Sequence, residues 1–185
     1  MDLTGGKPMI VELQQISLSD LHVLADSRVP DELLPKVFEG ALPPPFVAQR
    51  ALARLDQGHA PLWCNKFYIL RKADGAVVGS CGFKGAPADG QVEIGYGVSP
   101  ACQRQGVATA AVAQLLKLAF GSAEVTEVLA QVSPENVAST RVVQKLNFVA
   151  GESERDEKGE LLVQWVARRE VEARPGKASI PPAAP

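Results

Sequence analysis

The hydrophobic residues of this chain change their spacing once, near Gly106, and this change most constrains the fold. Before it, apolar and polar residues alternate in short segments, which is typical of half-buried strands, and Asp74-Gly75 is a strong hairpin-turn signal between two of them. After it, apolar residues recur at helical spacing over residues 106–120, and strands and helices then alternate. Antiparallel hairpins followed by β-α-β-α-β-β predict an α+β fold, with a mixed, largely antiparallel central sheet of about six to seven strands flanked by helices.

The individual elements are predicted from the same patterns. The predicted strands cover residues 10–16, 62–71, 76–83, 91–98, 127–132, 148–154 and 161–168. The predicted helices cover residues 21–27, 46–57, 106–120 and 136–146. A chain of 185 residues favours a single domain, here 9–170, with a loose leader at 1–8 and a disordered Pro/Ala-rich tail at 171–185.

Composition and charge exclude several classes of protein. Hydrophobic residues make up 46% of the chain and charged residues 22%, as in an ordinary globular protein. A formal net charge of −2 argues against a nucleic-acid or membrane-surface partner, and no apolar run approaches the length of a membrane span. The three cysteines form no C-x-x-C pair and the two histidines lie far apart, so we predict a cytoplasmic protein without a metal site.

The segment from Tyr96 to Thr109 carries the chemistry. A strand ends here, a turn of small residues follows and a helix begins, so the helix start presents unpaired backbone N–H groups at its positive dipole end. Gly106 and Ala108 have almost no side chain to cover these amides, so a diphosphate could bind directly to them. A tight turn selected for packing alone explains the same glycine about equally well.

The same segment resembles the GNAT superfamily of acyl-CoA-dependent N-acyltransferases. Gln103-Arg104-Gln105-Gly106-Val107-Ala108 is similar to the Q/R-x-x-G-x-G/A signature of that family, whose loop grips the CoA pyrophosphate. The segment from Asn136 to Phe148 resembles its N-x-x-S/A … K-L-G-F signature, particularly in the branch that acetylates ribosomal-protein N-termini. Each signature alone is weak, but both occur in order, each on a predicted helix that follows a strand.

Three residues depart from the pattern of that branch. Cys102 stands where its members often have Trp or Tyr, and Ala110 stands where they often have Glu. Asn147 replaces the usual Gly before Phe148. This last change preserves the predicted helix end, because Asn is the next best residue for a left-handed helix C-cap.

The resemblance implies acetyl transfer from acetyl-CoA, as co-substrate, to an amine acceptor that is a small molecule or a protein N-terminus. It implies that the cofactor-binding residues are Val98, Gln103, Arg104, Gln105, Gly106, Val107, Ala108, Thr109 and Asn136. The Val98 amide would donate to the thioester carbonyl, and Ser139 would protonate the leaving sulfur. The structural alternatives are a helix N-cap for Asn136 and a small packing residue for Ser139.

Glu93 is the candidate general base, because an unperturbed amine is mostly protonated at neutral pH and must lose a proton before it attacks. Strand geometry puts Glu93, Gly95 and Gly97 on one face, beside a trough without side chains in which an acceptor could lie. A strand bulge near Val98 would break this alternation. The alternative is a solvent-facing Glu on a half-exposed strand.

The acceptor itself is not readable from the sequence. Residues 18–61, which would shape its site, are rich in proline and give no recognisable pocket. Core packing is expected for Trp63, Phe67 and Tyr68, although one of them could line the pocket. Cys102 is expected to be inert, with direct transfer in a ternary complex. A catalytically silent acyl-CoA-binding module, a generic α+β interaction domain and a homodimer are left open.

Overall fold

A seven-stranded sheet organises the part of the chain that the computed structural model describes, residues 9–169. The strands are β1 (Val11–Gln15), β2 (Lys66–Arg71), β3 (Ala76–Phe83), β4 (Gln91–Val98), β5 (Glu127–Val132), β6 (Val149–Arg155) and β7 (Leu161–Arg168). The helices are α1 (Leu18–Ala25), α2 (Pro45–Asp56), α3 (Pro61–Cys64), α4 (Val107–Gly121) and α5 (Val137–Lys145), with single 3-10 turns at Asp31–Leu33 and Pro100–Cys102. The predicted α+β class and strand number are confirmed. The predicted leader at 1–8 and tail at 171–185 lie outside the described residues.

The strands follow the order β1-β2-β3-β4-β5-β7-β6, and within residues 9–169 only β4 and β5 pair in parallel. This parallel pairing is incomplete. It ends at Glu93 and Leu129, whereas β4 continues to Val98 and β5 continues to Val132. The two strands therefore separate towards their carboxyl ends, and the edge of β4 over residues 94–98 is left open on the β5 side.

Two hydrophobic cores cover opposite faces of the sheet. On one face, α4 packs Leu115 against β4 residues such as Ile94, and both side chains are buried. On the other face, α1 packs the fully buried Leu21 against Tyr68 of β2. The Tyr68 hydroxyl donates a hydrogen bond to the Asp20 carboxylate at 2.9 Å, which fixes α1 to the sheet and satisfies both buried polar groups.

The predicted strand at residues 62–71 is wrong at its start. Pro61–Cys64 forms the helical turn α3, and β2 begins only at Lys66. Proline suits the first turn of a helix, because its missing N–H would have had no partner there. The apolar residues that suggested a strand are buried for another reason: Trp63 packs edge-on against Phe83, with ring centroids 4.9 Å apart.

The end of α5 follows the sequence prediction. Asn147 has a φ of 60°, in the left-handed region. Its N–H donates to the Gln144 carbonyl, and the N–H of Phe148 donates to the Val143 carbonyl. These bonds satisfy carbonyls that would otherwise lack partners at the helix end, so the predicted left-handed cap at Asn147 is confirmed.

Candidate active site

The turn before α4 leaves the start of this helix uncovered. Arg104 and Gly106 both have positive φ, 59° and 79°, and the N-cap position, Gly106, has no side chain that could cap the helix. The first intrahelical bond runs from the Ala110 N–H to the Gly106 carbonyl at 3.0 Å. The amides of residues 107–109 therefore have no carbonyl of the same helix to bond, an arrangement that binds anions in other proteins.

The glutamine side chains of the turn fix its shape. Gln103 Nε2 donates to the Val98 carbonyl at 3.2 Å, and Gln105 Nε2 donates to the Ala101 carbonyl at 3.2 Å. The Gln105 carbonyl accepts from the Met9 N–H at 3.1 Å, so the turn is also tied to the start of the described chain. The turn that precedes α4 is thus bonded to the end of β4 through Gln103, and both segments were predicted to hold CoA.

The Val98 amide faces the open edge of β4. The next amide, that of Ser99, donates to the Val78 carbonyl on β3 at 2.9 Å. Successive amides of an extended strand point to opposite edges, so the Val98 N–H points away from β3, towards the gap beside β5. A carbonyl entering this gap would meet a donor there, which is the geometry that stabilisation of an oxyanion requires.

The start of α5 borders the same gap. Asn136 caps this helix, since its Oδ1 accepts from the Ser139 N–H at 3.0 Å, so its structural alternative is confirmed. The Ser139 carbonyl in turn accepts from the Tyr96 hydroxyl of β4 at 3.4 Å. Burial raises the pKa of Tyr96, which keeps this hydroxyl protonated. Tyr96 therefore bridges β4 and α5 with a proton donor that the sequence prediction missed.

The opposite side of β4 lines a cleft of about 550 Å³. The register of β3 with β4 runs without a shift from Gly79–Val98 to Phe83–Ile94, so no bulge breaks it. Glu93, Gly95 and Gly97 therefore share a face, as predicted, and Gly95 and Gly97 line the cleft. We call the surface of these two glycines the glycine face.

The predicted trough without side chains holds at only one of the two glycines. A Cβ added to Gly97 would have no atom within 4 Å, so the cleft is open there. A Cβ added to Gly95 would lie 3.5 Å from Cε of Lys84, whose side chain crosses this part of the face. The prediction is wrong at Gly95, because Lys84, which directly follows β3, extends its side chain over β4.

The remaining walls of the cleft come from α2 and the loop before it, from the end of α3, and from β2, β3 and the residue that follows β3. Four basic residues line it, namely Arg50, Arg54, Lys66 and Lys84, together with the exposed ring of Phe46. The aromatic residues considered from the sequence, Trp63, Phe67 and Tyr68, are buried in the core instead. Core packing was therefore the correct interpretation for these three.

Glu93 lies beside the cleft and is bonded to one of its walls. Its Oε1 is 2.5 Å from Nζ of Lys84, and the Glu93 side chain is 28% exposed. The carboxylate is therefore neither isolated in solvent nor among the residues that line the cleft. A proton acceptor at this position would work next to a lysine, and its role as a base stays a prediction.

The cysteines give no sign of a nucleophile. All three are free and buried, and burial raises the pKa of Cys102, which disfavours the reactive thiolate. Among residues 9–169 there is no cluster of three or more His, Cys, Asp or Glu side chains that could hold a metal ion. Within the same range, no helix has the length and apolar character needed to cross a membrane.

Sequence reasoning missed the four basic residues of the cleft, which we call the basic wall, although the sequence contained one signal for it. Arg50 and Arg54 are four residues apart on a predicted helix, which places them on the same side. The sequence did not show which surface these two arginines would face, because Lys66 and Lys84 come from other parts of the chain. Tyr96 packs against the core on the side of β4 opposite Glu93, and the α5 carbonyl that its hydroxyl meets is 43 residues away in sequence, beyond the reach of a local pattern.

Comparison with known proteins finds a matching family model and solved structures with a similar fold. A family model described as an acetyltransferase (GNAT) domain matches residues 11–149. An uncharacterized N-acetyltransferase p20 from Bacillus licheniformis is 34% identical over 85 residues, which cover 45% of this chain and 48% of that protein. The chain spans about half the length of the curated relatives it matches.

Two solved structures have a similar fold. The ribosomal-protein-S5-alanine acetyltransferase from Vibrio fischeri superposes with a TM-score of 0.64 at 18% identity, covering 86% of this chain and 93% of that one. RimJ from Mycobacterium smegmatis, solved in complex with CoA-disulfide, superposes with a TM-score of 0.62 at 21% identity, covering 90% and 85%. At these identities the likeness establishes the fold.

Proposed function

The chain belongs to the acetyltransferase (GNAT) domain family, and we propose that it moves the acetyl group of acetyl-CoA to a primary amine by direct attack in a ternary complex. One observation carries this proposal. The same stretch of β4 has an open edge that leads into the uncovered start of α4, and a glycine face that lines a cleft of about 550 Å³. A donor and an acceptor could therefore approach one strand from two sides.

The chain's own groups fit the parts of CoA. The amides of residues 107–109 suit the diphosphate, because they are uncovered and lie at the positive end of α4. The turn residues Gln103, Arg104, Gln105 and Gly106 hold these amides in place. The open edge of β4 offers backbone partners to the amides of an extended pantetheine arm, much as a strand would. Asn136, whose Oδ1 is used in capping, keeps its amide nitrogen for this arm.

In the reaction, the amine nitrogen attacks the thioester carbonyl carbon and the carbon–sulfur bond breaks. The products are an amide and the free thiol of CoA. The Val98 N–H is aimed at the gap where negative charge would develop on the carbonyl oxygen, and such a donor contributes about 2.7–4 kcal/mol in other enzymes. The amine must lose a proton and the departing sulfur must gain one.

Glu93 and Ser139 are the residues that we assign to these two proton transfers. Glu93 lies on the same side of β4 as the glycine face, so it can accept a proton from an amine in the cleft, directly or through water. Ser139 lies in the first turn of α5, beside the open edge of β4, and its carbonyl is held by Tyr96. The acid and the base would thus act from opposite sides of the strand.

Release of free thiol from acetyl-CoA tests this proposal. Initial rates are measured with and without a panel of amines: peptides with varied N-termini, amino acids, polyamines and aminoglycosides. We expect release that depends on the amine and that matches the amount of acetylated product. The control is the same reaction without protein.

The outcome also separates the competing functions. A rise in melting temperature on addition of CoA, without release of thiol for any amine, would identify a silent CoA-binding module, since a ligand that binds only the folded state stabilises it. Absence of both effects would contradict any role in CoA chemistry. The predicted cytoplasmic location and the homodimer stay predictions.

A further inference from the structure

The cleft beside the glycine face carries an unbalanced positive charge. Among the residues that line it, Arg50, Arg54, Lys66 and Lys84 are basic and none is acidic. Glu93, the neighbouring carboxylate, is bonded to Lys84. Three of the four cationic side chains therefore lack a carboxylate within salt-bridge distance among the described residues. The overall charge of −2 makes this local excess more informative, because it is not a property of the whole chain.

Two of these cations are held in place by backbone carbonyls at the end of β3. Lys66 Nζ donates to the Phe83 carbonyl, and the Arg54 guanidinium donates to the Lys84 carbonyl. Each of these groups has further N–H donors that these bonds do not use. The positions of the charges are thus fixed by the fold, and donors remain for a ligand.

The pKa of Lys66 reflects the same concentration of positive charge. Its pKa is lowered from 10.5 to about 8, first by burial and then by the nearby charges of Arg54 and Lys84, with a smaller effect of Arg50. The three neighbouring cations thus disfavour the protonated, charged form of Lys66. An anion placed among them would be attracted by all four, and it would reverse part of this repulsion.

We propose that the acceptor carries an anionic group, a carboxylate or a phosphate, close to its reacting amine, and that Arg50, Arg54 and Lys66 bind this group in the cleft. The inference rests on the acetyltransferase function proposed above. A cleft of about 550 Å³ accommodates a small anionic amine or the first residues of an acidic peptide. A polycationic amine would meet repulsion from the same wall.

The positive wall also explains how an amine could be prepared for attack. Cations that lower the pKa of Lys66 would lower that of a bound ammonium in the same way, since both are amines in the same field. The acceptor's anionic group would provide the binding energy, and the field would favour the neutral nucleophile. An ammonium with a lowered pKa is a stronger acid, so Glu93 could accept its proton more readily, even though this carboxylate is paired with Lys84.

The test compares acceptors that differ in one charge. The kcat/KM for thiol release is measured for an α-amino acid against its amide, and for a C-terminally amidated peptide with Asp at its second position against the same peptide with Asn. The first pair represents a small molecule and the second a peptide. We expect a preference of at least about tenfold for the charged member of one pair, which falls as salt screens the charges.

Charge reversal in the wall should abolish that preference. In Arg50→Glu the ratio of the two kcat/KM values should fall to about one or below, while KM for acetyl-CoA is retained within about threefold, a change below 1 kcal/mol. Lys72→Glu is the matched control, because Lys72 is exposed in the β2–β3 turn, outside the cleft, and it should keep the wild-type ratio. Arg50→Gln provides a milder variant if the reversal impairs folding.

Several results would overturn the inference and leave the proposed function intact. These are the absence of a preference for the charged member in both pairs, a preference for a polyamine over the charged acceptors, and an unchanged ratio in Arg50→Glu. A loss confined to the KM for acetyl-CoA would instead reassign the basic wall to the donor. Absence of amine-dependent thiol release from every acceptor would contradict the proposed function itself.

Discussion

Filling the glycine face at Gly97 should block acceptor use without harming the fold. Gly97 is exposed, its φ lies outside the left-handed region, and a Cβ there would have no atom within 4 Å. Gly97→Val is therefore compatible with the strand, and Val favours this conformation. We expect the free energy of unfolding to stay unchanged or to rise by about 0.5–1 kcal/mol, since glycine weakens strand interiors by about this amount.

The same side chain would project three carbons into the cleft beside the Val98 amide. A ligand that must share space with extra carbons in a packed site loses about 1–3 kcal/mol, which corresponds to roughly a 5- to 150-fold loss in kcat/KM for the amine. The affinity for CoA should change by less than about twofold, or 0.4 kcal/mol, because the donor approaches along the edge of the strand. Thiol-release rates, thermal melts and CoA titration measure these three quantities.

Two glycine substitutions serve as controls. Gly121→Val adds the same side chain at the end of α4, where a Cβ also has open space, and should leave amine use unaffected. Gly79→Ala should destabilise the protein, because its Cβ would lie 2.4 Å from the Gly97 carbonyl oxygen. A stable Gly97→Val protein with wild-type kcat/KM for amines would refute the assignment of the cleft to the acceptor.

Three further predictions concern the donor side and the proton transfers. Gly106→Glu should weaken CoA binding at least tenfold, or about 1.4 kcal/mol, in calorimetry, because it adds a negative charge at the uncovered helix start. Glu93→Gln should lower kcat by ~10²–10⁴-fold with CoA affinity retained, and the loss should shrink as pH rises and free amine accumulates. Asn136→Ala should raise the KM for acetyl-CoA and reduce the free energy of unfolding by about 0.5–2 kcal/mol through the lost cap, whereas Ser139→Ala should lower kcat with little change in KM.

Each of these predictions has its own contrary result. Gly106→Ala shares the unfavourable positive φ but adds no charge, so equal losses in the two variants would reduce the effect to backbone strain. Full activity of Glu93→Gln at neutral pH would mean that water accepts the proton, from an ammonium whose pKa the basic wall has lowered. An unaffected kcat in Ser139→Ala would retire its acid role and turn attention to Tyr96, whose hydroxyl lies 3.4 Å from the Ser139 carbonyl.

The sequence was most informative where function and local backbone geometry coincide. The change of hydrophobic period predicted the fold class, and the residues around Gly106 predicted an uncovered helix start, because both depend on short-range spacing. The caps at Asn136 and Asn147 were predicted for the same reason. The α3 turn was not predicted, because its apolar residues are buried through tertiary contacts and do not belong to a strand.

Neither the open edge of β4 nor the proposed acceptor cleft could be predicted, because each depends on segments that are distant in sequence. The gap beside β4 depends on where pairing with β5 ends, at Glu93 and Leu129, and no local pattern sets that point. The basic wall joins α2 with Lys66 and Lys84, and only the folded sheet brings them together. The path of the Lys84 side chain over β4 likewise depends on the folded sheet, and it covers Gly95 while Gly97 stays open.

The fate of an isotopically labelled acetyl group tests the central claim most directly. The protein is incubated with acetyl-labelled acetyl-CoA and the best amine from the panel, and the label is counted separately on amine, protein and remaining thioester. Direct transfer across the open edge of β4 predicts label on the amine nitrogen, one free thiol for each acetylated amine, and none on the buried Cys102. Label that stays in the thioester, or that accumulates on the protein before it reaches the amine, would contradict the account.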